Sequence, residues 1–296
     1  MYVTGVDGEP SFIVRGFETP IEMPRLRTND VETYYESRGS GPPVVFVHGA
    51  WVDRRQWTPQ VEALADDYRV VTYDVRGHGR TGPSAEERYS VELFAADLRA
   101  LIEALGLDRP VVCGLSLGGM IAQAYAARYD ELRGLVLADT AVSTRLTWKD
   151  TLTSLLAPKW AMTSTVRLLG PRRYVDVAFW LARVTRDADW FGRDPAVAAY
   201  VRETMSAFDA REFNKVFGAT YDFRRVDLGA ITAPTLVLDG EFESDSVFEH
   251  TAHLQRSLAD VRTGVIPEAG HTSNMENPEA FTAELQAFLD ETTDDT

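Results

Sequence analysis

The chain has 296 residues, an apolar fraction of 45% and a net charge of −15. That length holds one large domain with an insertion, or two domains, with enough apolar residues for a sizeable core. The acidic balance argues against a nucleic-acid partner, no run of about 18 apolar residues suggests a membrane span, and a single cysteine, Cys113, excludes an internal disulfide. The stretch MYVTGVDGEPSF carries acidic residues and lacks a basic segment leading into an apolar run. No secretory leader is expected from it, and the chain reads as cytoplasmic.

Residues 1–24 have little periodicity and two late prolines, Pro20 and Pro24, and read as an extension. Arg25 to Ser37 has the pattern of a hairpin, with Thr28-Asn29-Asp30 as its turn. Val44 to Val47 is a continuous apolar strand of the kind buried on both faces of a parallel sheet, and it runs into His48-Gly49-Ala50-Trp51. A helix is expected over Gln56 to Ala65 and a strand over Tyr68 to Tyr73, ending in Asp74-Val-Arg-Gly-His-Gly79. Ser90 is a suitable N-cap for a helix to Leu105, closed by Gly106. Pro110 to Cys113 is another apolar strand, Met120 to Arg128 a helix, and Leu135 to Ala138 a buried strand ending at Asp139.

From about Thr140 the pattern changes to helical segments rich in aromatics, among them Trp148, Trp160, Trp180, Trp190 and Phe191. Alternation resumes with a strand at Pro234 to Leu238, a helix near Val247 to Leu258, a strand near Val261 to Ile266 and a helix from Pro278 to Leu289. Repeated β-α-β units imply a mostly parallel sheet covered by helices on both faces. The expected domains are a core of 25–140 plus 229–291, a helical cap at 141–228 and a polar tail at 292–296.

Gly114-Leu-Ser116-Leu-Gly118 fits G-x-S-x-G between a predicted strand and a predicted helix. In that context the pattern reads as a nucleophile elbow, with the serine held in a strained turn above the sheet. A serine hydroxyl needs a base within hydrogen-bond reach, and the base needs a third group to fix its tautomer. Of five histidines, His48 and His78 lie in Gly-containing loops and read as structural. His250 and His253 are spaced i, i+3 on one helix without a third metal ligand and read as solvated. His271 follows Pro267-Glu-Ala-Gly270, a post-strand loop able to carry an imidazole to the top of the sheet, and is the expected base.

Four motifs occur in order: His48-Gly49, Asp74 to Gly79, Gly114 to Gly118, and Ala269-Gly-His271. On these the chain resembles the α/β-hydrolase fold superfamily with a helical cap, over roughly Arg25 to Leu289. The resemblance implies an eight-stranded-type, mostly parallel sheet and a triad acid in the loop after the seventh strand. Glu243 stands at that place; Asp245 and Asp139 are the alternatives, with Asp239 and Glu241 structural. It further implies oxyanion donors at the amides of Ala50 and Leu117, and substrate contacts at Trp51 and Met120. No motif asks for a metal, nucleotide or flavin, and G-x-G-x-x-G is absent, so no cofactor is expected.

The implied chemistry is hydrolysis of a small carboxylic ester or lactone through an acyl-enzyme on Ser116. Enol-lactonases, small esterases and cofactor-free perhydrolases are resembled about equally. Carbon–carbon bond hydrolysis or haloperoxidase-like perhydrolysis on the same triad, and a ligand-binding member without turnover, are the alternatives. A serine nucleophile disfavours the dehalogenase and epoxide-hydrolase branches.

Ala141 to Ala230 holds 14 Lys plus Arg against 10 Asp plus Glu, so the cap is basic beside an acidic body. Such a lid could attract an anionic or aromatic substrate. The 30 cationic residues include only three lysines, Lys149, Lys159 and Lys215. Excess carboxylates with scarce lysine resemble the composition of proteins from salt-loving archaea. The expected partner is a small molecule, with no nucleic acid or membrane, and the expected state is a monomer or homodimer.

Overall fold

A computed structural model describes residues 3–4, 10–11, 25–129, 131–146, 155, 158–185 and 193–294. An eight-stranded sheet forms the centre. Its strands are β1 (Arg25–Thr28), β2 (Val31–Arg38), β3 (Pro43–Val47), β4 (Arg69–Tyr73), β5 (Val111–Leu115), β6 (Gly134–Ala138), β7 (Thr235–Gly240) and β8 (Val261–Ile266). The spatial order is β8-β7-β6-β5-β3-β4-β2-β1. β1 pairs antiparallel with β2, and β2 antiparallel with β4; every other pairing is parallel.

The apolar runs become interior strands because both faces of this sheet are covered. Alternate residues of each strand go to opposite sides. Val45, Val47, Val112, Leu135 and Leu137 pack with α2 (Val91–Ala104), α3 (Leu117–Ala126) and α8 (Asp245–Ser257). Val44, Phe46, Val111, Val136 and Leu238 pack with α1 (Thr58–Leu64) and α10 (Pro278–Asp294). In α10, Phe281, Leu285 and Leu289 are fully buried at helical spacing. Each such side chain stabilises the fold by about 1.5–3 kcal/mol.

Ser90 caps α2 by accepting from the Leu93 N–H at 3.1 Å, and Gly106 leaves the helix at φ +59°. Two boundaries differ from expectation. α3 starts at Leu117 rather than Met120, because the elbow turns directly into helix. α10 continues through the expected polar tail to Asp294, where the Thr292 and Thr293 hydroxyls turn back onto the Phe288 and Leu289 carbonyls at 3.0 and 2.7 Å.

Among the described residues, four α-helices lie between β6 and β7: α4 (Lys159–Leu169), α5 (Pro171–Thr185), α6 (Pro195–Ala207) and α7 (Ala210–Tyr221). Asp194 caps α6 and Asp209 caps α7, each accepting from the first-turn amides. Val166, Val175, Val197, Val201, Met205 and Phe213 join these helices around Val52 of the core. Of the expected N-terminal extension, Val3–Thr4 pairs antiparallel with Pro10–Ser11. The rest of it, together with Trp148, Trp190, Phe191 and residues 295–296, lies outside the described residues. A short helix, α9 (Ser273–Glu276), follows the loop after β8.

Candidate active site

Ser116 sits between β5 and α3 at φ 55°, ψ −114°, a left-handed conformation that costs a non-glycine residue about 1–3 kcal/mol. The flanking glycines explain how the turn closes. A Cβ on Gly118 would lie 2.0 Å from the Val47 carbonyl oxygen, and one on Gly114 would lie 2.2 Å from the Gly118 oxygen. The strained residue is held from β6: the Ser116 N–H donates to the Ala138 oxygen at 2.9 Å, and the Thr140 hydroxyl donates to the Ser116 oxygen at 2.6 Å.

His271 comes to this serine from the loop after β8. Its Nε2 lies 3.0 Å from the Ser116 Oγ, and its Nδ1 hydrogen-bonds the Glu243 Oε1. Glu243 is buried in the loop after β7, and its Oε2 accepts the Ser244 N–H at 2.9 Å. The loop that carries His271 is tied down separately. The Glu276 carboxylate accepts from the Gly270 N–H at 3.0 Å and from the Thr272 hydroxyl.

The electrostatics follow from burial and charge. Burial favours neutral imidazole, but the Glu243 charge and hydrogen bond outweigh it, with Asp139 and Glu276 adding, so His271 is raised above its ordinary value. Burial also penalises the Glu243 carboxylate, yet His271 and the Ser244 amide hold it below the usual range. Both shifts have one cause, the contact between the Glu243 carboxylate and the His271 imidazole.

The other acids named from the sequence lie elsewhere. Asp245 opens α8 and is exposed. Asp139 is fully buried and accepts from the Gly240 N–H at 2.8 Å, the Ser273 N–H at 3.2 Å and the Ser273 hydroxyl at 2.5 Å. Burial, and then the charge of Glu243, raise it well above the ordinary carboxylate value. Asp239 accepts from the Thr251 hydroxyl at 2.6 Å and is pushed up to about 7, chiefly by burial. Glu241 holds the Glu268 N–H at 2.9 Å.

Opposite the serine, the loop after β3 is fixed by buried polar contacts. The His48 Nε2 accepts the Val75 N–H at 2.9 Å, which leaves Nδ1–H to donate to the Gly49 oxygen at 2.7 Å. The His78 Nε2 accepts the Trp51 N–H at 3.1 Å, and its Nδ1 meets the Arg76 oxygen at 3.0 Å. Burial holds His48 below its ordinary value and lowers His78 to about 3, so both stay neutral. Gln56 accepts the Gly49 N–H at 2.8 Å. Among the described residues the Ala50 N–H has no acceptor. Leu117, as the first residue of α3, has an N–H without an intrahelical partner.

A cavity of roughly 70 Å³ opens at the serine. Ala50, Trp51, Gln56, Ser116 and His271 line it with Val201 and Met205 of the cap. Trp51 has φ 60°, stacks on Phe213 at 4.8 Å between centroids, and donates its indole N–H to the Phe213 oxygen at 3.3 Å. The expected contact residue Met120 packs in the core with α3 and is not among the lining residues. Gln56, Val201, Met205 and Thr140 had no motif to mark them. His250 corrects the solvated reading: it is buried, and its Nδ1 faces the Val142 N–H at 3.4 Å. Its neighbours Val247, Thr251 and Leu254 are also buried, and the i, i+3, i+4, i+7 spacing carried that signal. Among the described residues no group of three or more His, Cys, Asp or Glu could hold a metal ion.

Known proteins share this arrangement of strands and loops. The family model of the alpha/beta hydrolase fold matches residues 42–278. The 3-oxoadipate enol-lactonase 1 of Acinetobacter baylyi is 26% identical over 258 residues, covering 84% of this chain and 89% of the relative. An esterase structure from Thermogutta terrifontis superposes with a TM-score of 0.76 at 28% identity, covering 93% of this chain and 99% of that one. An enol-lactonase structure from Burkholderia xenovorans gives 0.75 at 28% identity, covering 90% and 99%. The chain belongs to the α/β-hydrolase fold family.

Proposed function

We propose that this protein hydrolyses a small carboxylic ester or lactone through an acyl-enzyme on Ser116. The observation that carries the reading is the 3.0 Å approach of the His271 Nε2 to the Ser116 Oγ, with Nδ1 engaged by the buried Glu243. The serine hydroxyl loses its proton to His271 as Oγ attacks the carbonyl carbon. The amides of Ala50 and Leu117 receive the oxyanion. His271 then protonates the leaving oxygen, and water, deprotonated by the same imidazole, releases the acid and restores Ser116. Glu243 keeps Nδ1 protonated and stabilises the imidazolium throughout. The cavity at the serine suits a small acyl group, with Val52, Leu115, Val201 and Met205 as its apolar wall. The enol-lactonase and esterase relatives support the substrate class.

A fluorophosphonate probe, followed by a panel of p-nitrophenyl esters, enol-lactones, a carbon–carbon hydrolase substrate and peracid formation, tests the proposal. Labelling at Ser116, lost in Ser116→Ala, with turnover of an ester or lactone is expected. No adduct would leave a ligand-binding role. An adduct without ester or lactone turnover would move the reading to carbon–carbon hydrolysis or perhydrolysis.

A further inference from the structure

The cap shows a surface that the chemistry at Ser116 does not use. On α4, Trp160 and Leu168 are 72% and 84% exposed; on α5, Trp180 is 61% exposed, and Val177 and Leu181 are nearly half exposed. The spacing makes these two stripes. Trp160, Ser164 and Leu168 stand at i, i+4 and i+8, opposite the buried Val166. Arg173, Val177, Trp180 and Leu181 stand at i, i+4, i+7 and i+8, opposite the buried Val175. Each helix thus buries a valine in the cap, Val166 or Val175, and turns an apolar stripe outward. The two helices are joined at Gly170 and pack against each other.

Among the described residues the unpaired charge on α4 and α5 has one sign. Arg167, Arg172 and Arg173 are exposed and have no carboxylate partner among the described residues. Asp176, the one acid on α4 and α5, is already paired with Arg202 at 2.6 Å. Lys159 is paired with Asp222. Unpaired arginine next to outward tryptophan and leucine, on a chain of net charge −15, selects an anionic partner with an apolar interior. A second copy of this face would set arginine against arginine.

We propose that α4 and α5 seat the protein on an anionic lipid surface. Trp160, Leu168 and Trp180 enter the boundary between headgroups and acyl chains, and Arg167, Arg172 and Arg173 meet lipid phosphates. The acidic body is repelled by the same surface, which orients the molecule with the cap toward the lipid. Such a seat requires no spanning helix, and among the described residues no helix is long and apolar enough to cross a membrane. It stands against the expectation of no membrane partner, which rested on the lack of a spanning run.

Co-sedimentation with phosphatidylglycerol vesicles, set against phosphatidylcholine vesicles, tests the seat. The wild type is expected to partition to the first and not the second. Arg172→Glu/Arg173→Glu and Trp160→Ser/Trp180→Ser should each lower partitioning by at least about tenfold. Fluorophosphonate labelling of Ser116 and far-ultraviolet circular dichroism should stay unchanged, which separates loss of the seat from loss of the fold. Failure of the wild type to sediment with phosphatidylglycerol, or undiminished binding by both variants, overturns the proposal. So does a dimer in analytical ultracentrifugation that Trp160→Ser/Trp180→Ser makes monomeric while vesicles go unbound; the occupant is then a second copy.

Discussion

Glu243→Gln separates the proposed triad acid from the other carboxylates near His271. The change keeps the size of the side chain and removes its charge. In the transition state His271 is an imidazolium, and Glu243 is the nearest anion, bonded to Nδ1. Two unit charges about 4 Å apart attract by about 4 kcal/mol at an effective dielectric of about 20. Loss of that term alone slows turnover by about a thousandfold. The amide adds a second effect. Its NH₂ can donate to Nδ1 and hold the imidazole in the tautomer with the proton on Nε2, which cannot accept from Ser116. Together these predict a kcat lowered about 10³- to 10⁴-fold. KM should change little, because Glu243 does not line the cavity.

The pH profile gives an independent reading. Only neutral His271 can act as base, so kcat/KM rises with pH through its titration. Glu243 is what lifts that titration above the ordinary value against the effect of burial. In the wild type the rising limb should therefore be centred above about 6.5. In Glu243→Gln, with burial less opposed, the limb should move to lower pH while its plateau collapses. Steady-state kinetics on p-nitrophenyl acetate across the pH range measure both. A kcat reduced less than about tenfold, or a limb that stays in place, would refute the assignment. Asp245→Asn should then be examined for the missing effect.

Gly118→Ala should prevent the elbow from closing, since the added methyl meets the Val47 backbone at 2.0 Å. A loss of more than about 4 kcal/mol, read from chemical unfolding or as insoluble protein, is expected; a stability near wild type would contradict the packing described. Asp139→Asn keeps one acceptor for the Gly240 N–H but cannot serve both Ser273 donors; it should lower kcat about tenfold with KM nearly unchanged, and an unaltered kcat would show that the two loops hold without it. Trp51→Ala removes the stack on Phe213 and its indole bond, and should destabilise the protein by about 3 kcal/mol in urea titration.

The sheet and the strained turn at Ser116 were legible because each depends on local chemistry. Apolar runs such as Val44 to Val47 have one stable place, between two helical layers. The glycines at 114 and 118 mark a contact that no side chain fits. The carboxylate that contacts His271 was harder to read. Asp139, Glu243 and Asp245 all follow strand ends, and which of them reaches His271 depends on the path of the loop after β7. Met120, expected at the substrate, packs in the core instead, on the side of α3 turned away from the cavity lining. The outward stripes of α4 and α5 were hidden because exposed and buried apolar positions have the same period on one helix. Only the packing of the cap tells which face is covered.

The end of β6 explains how loops so far apart in sequence converge. Three consecutive residues there bond Ser116 and the two loops that carry Glu243 and His271. The Ala138 oxygen holds the Ser116 amide, and the Thr140 hydroxyl holds the Ser116 oxygen. Between them, Asp139 binds Gly240, three residues before Glu243, and Ser273, two residues after His271. Ser116 and the loops of Glu243 and His271 are thus registered against one strand terminus at the centre of the sheet. Asp139 itself has φ 45°, so the junction stores strain as Ser116 does. A shift at this terminus would move all three groups together rather than one relative to another. The Ser116–His271 distance therefore depends less on the flexibility of two surface loops than on a buried carboxylate that both loops share.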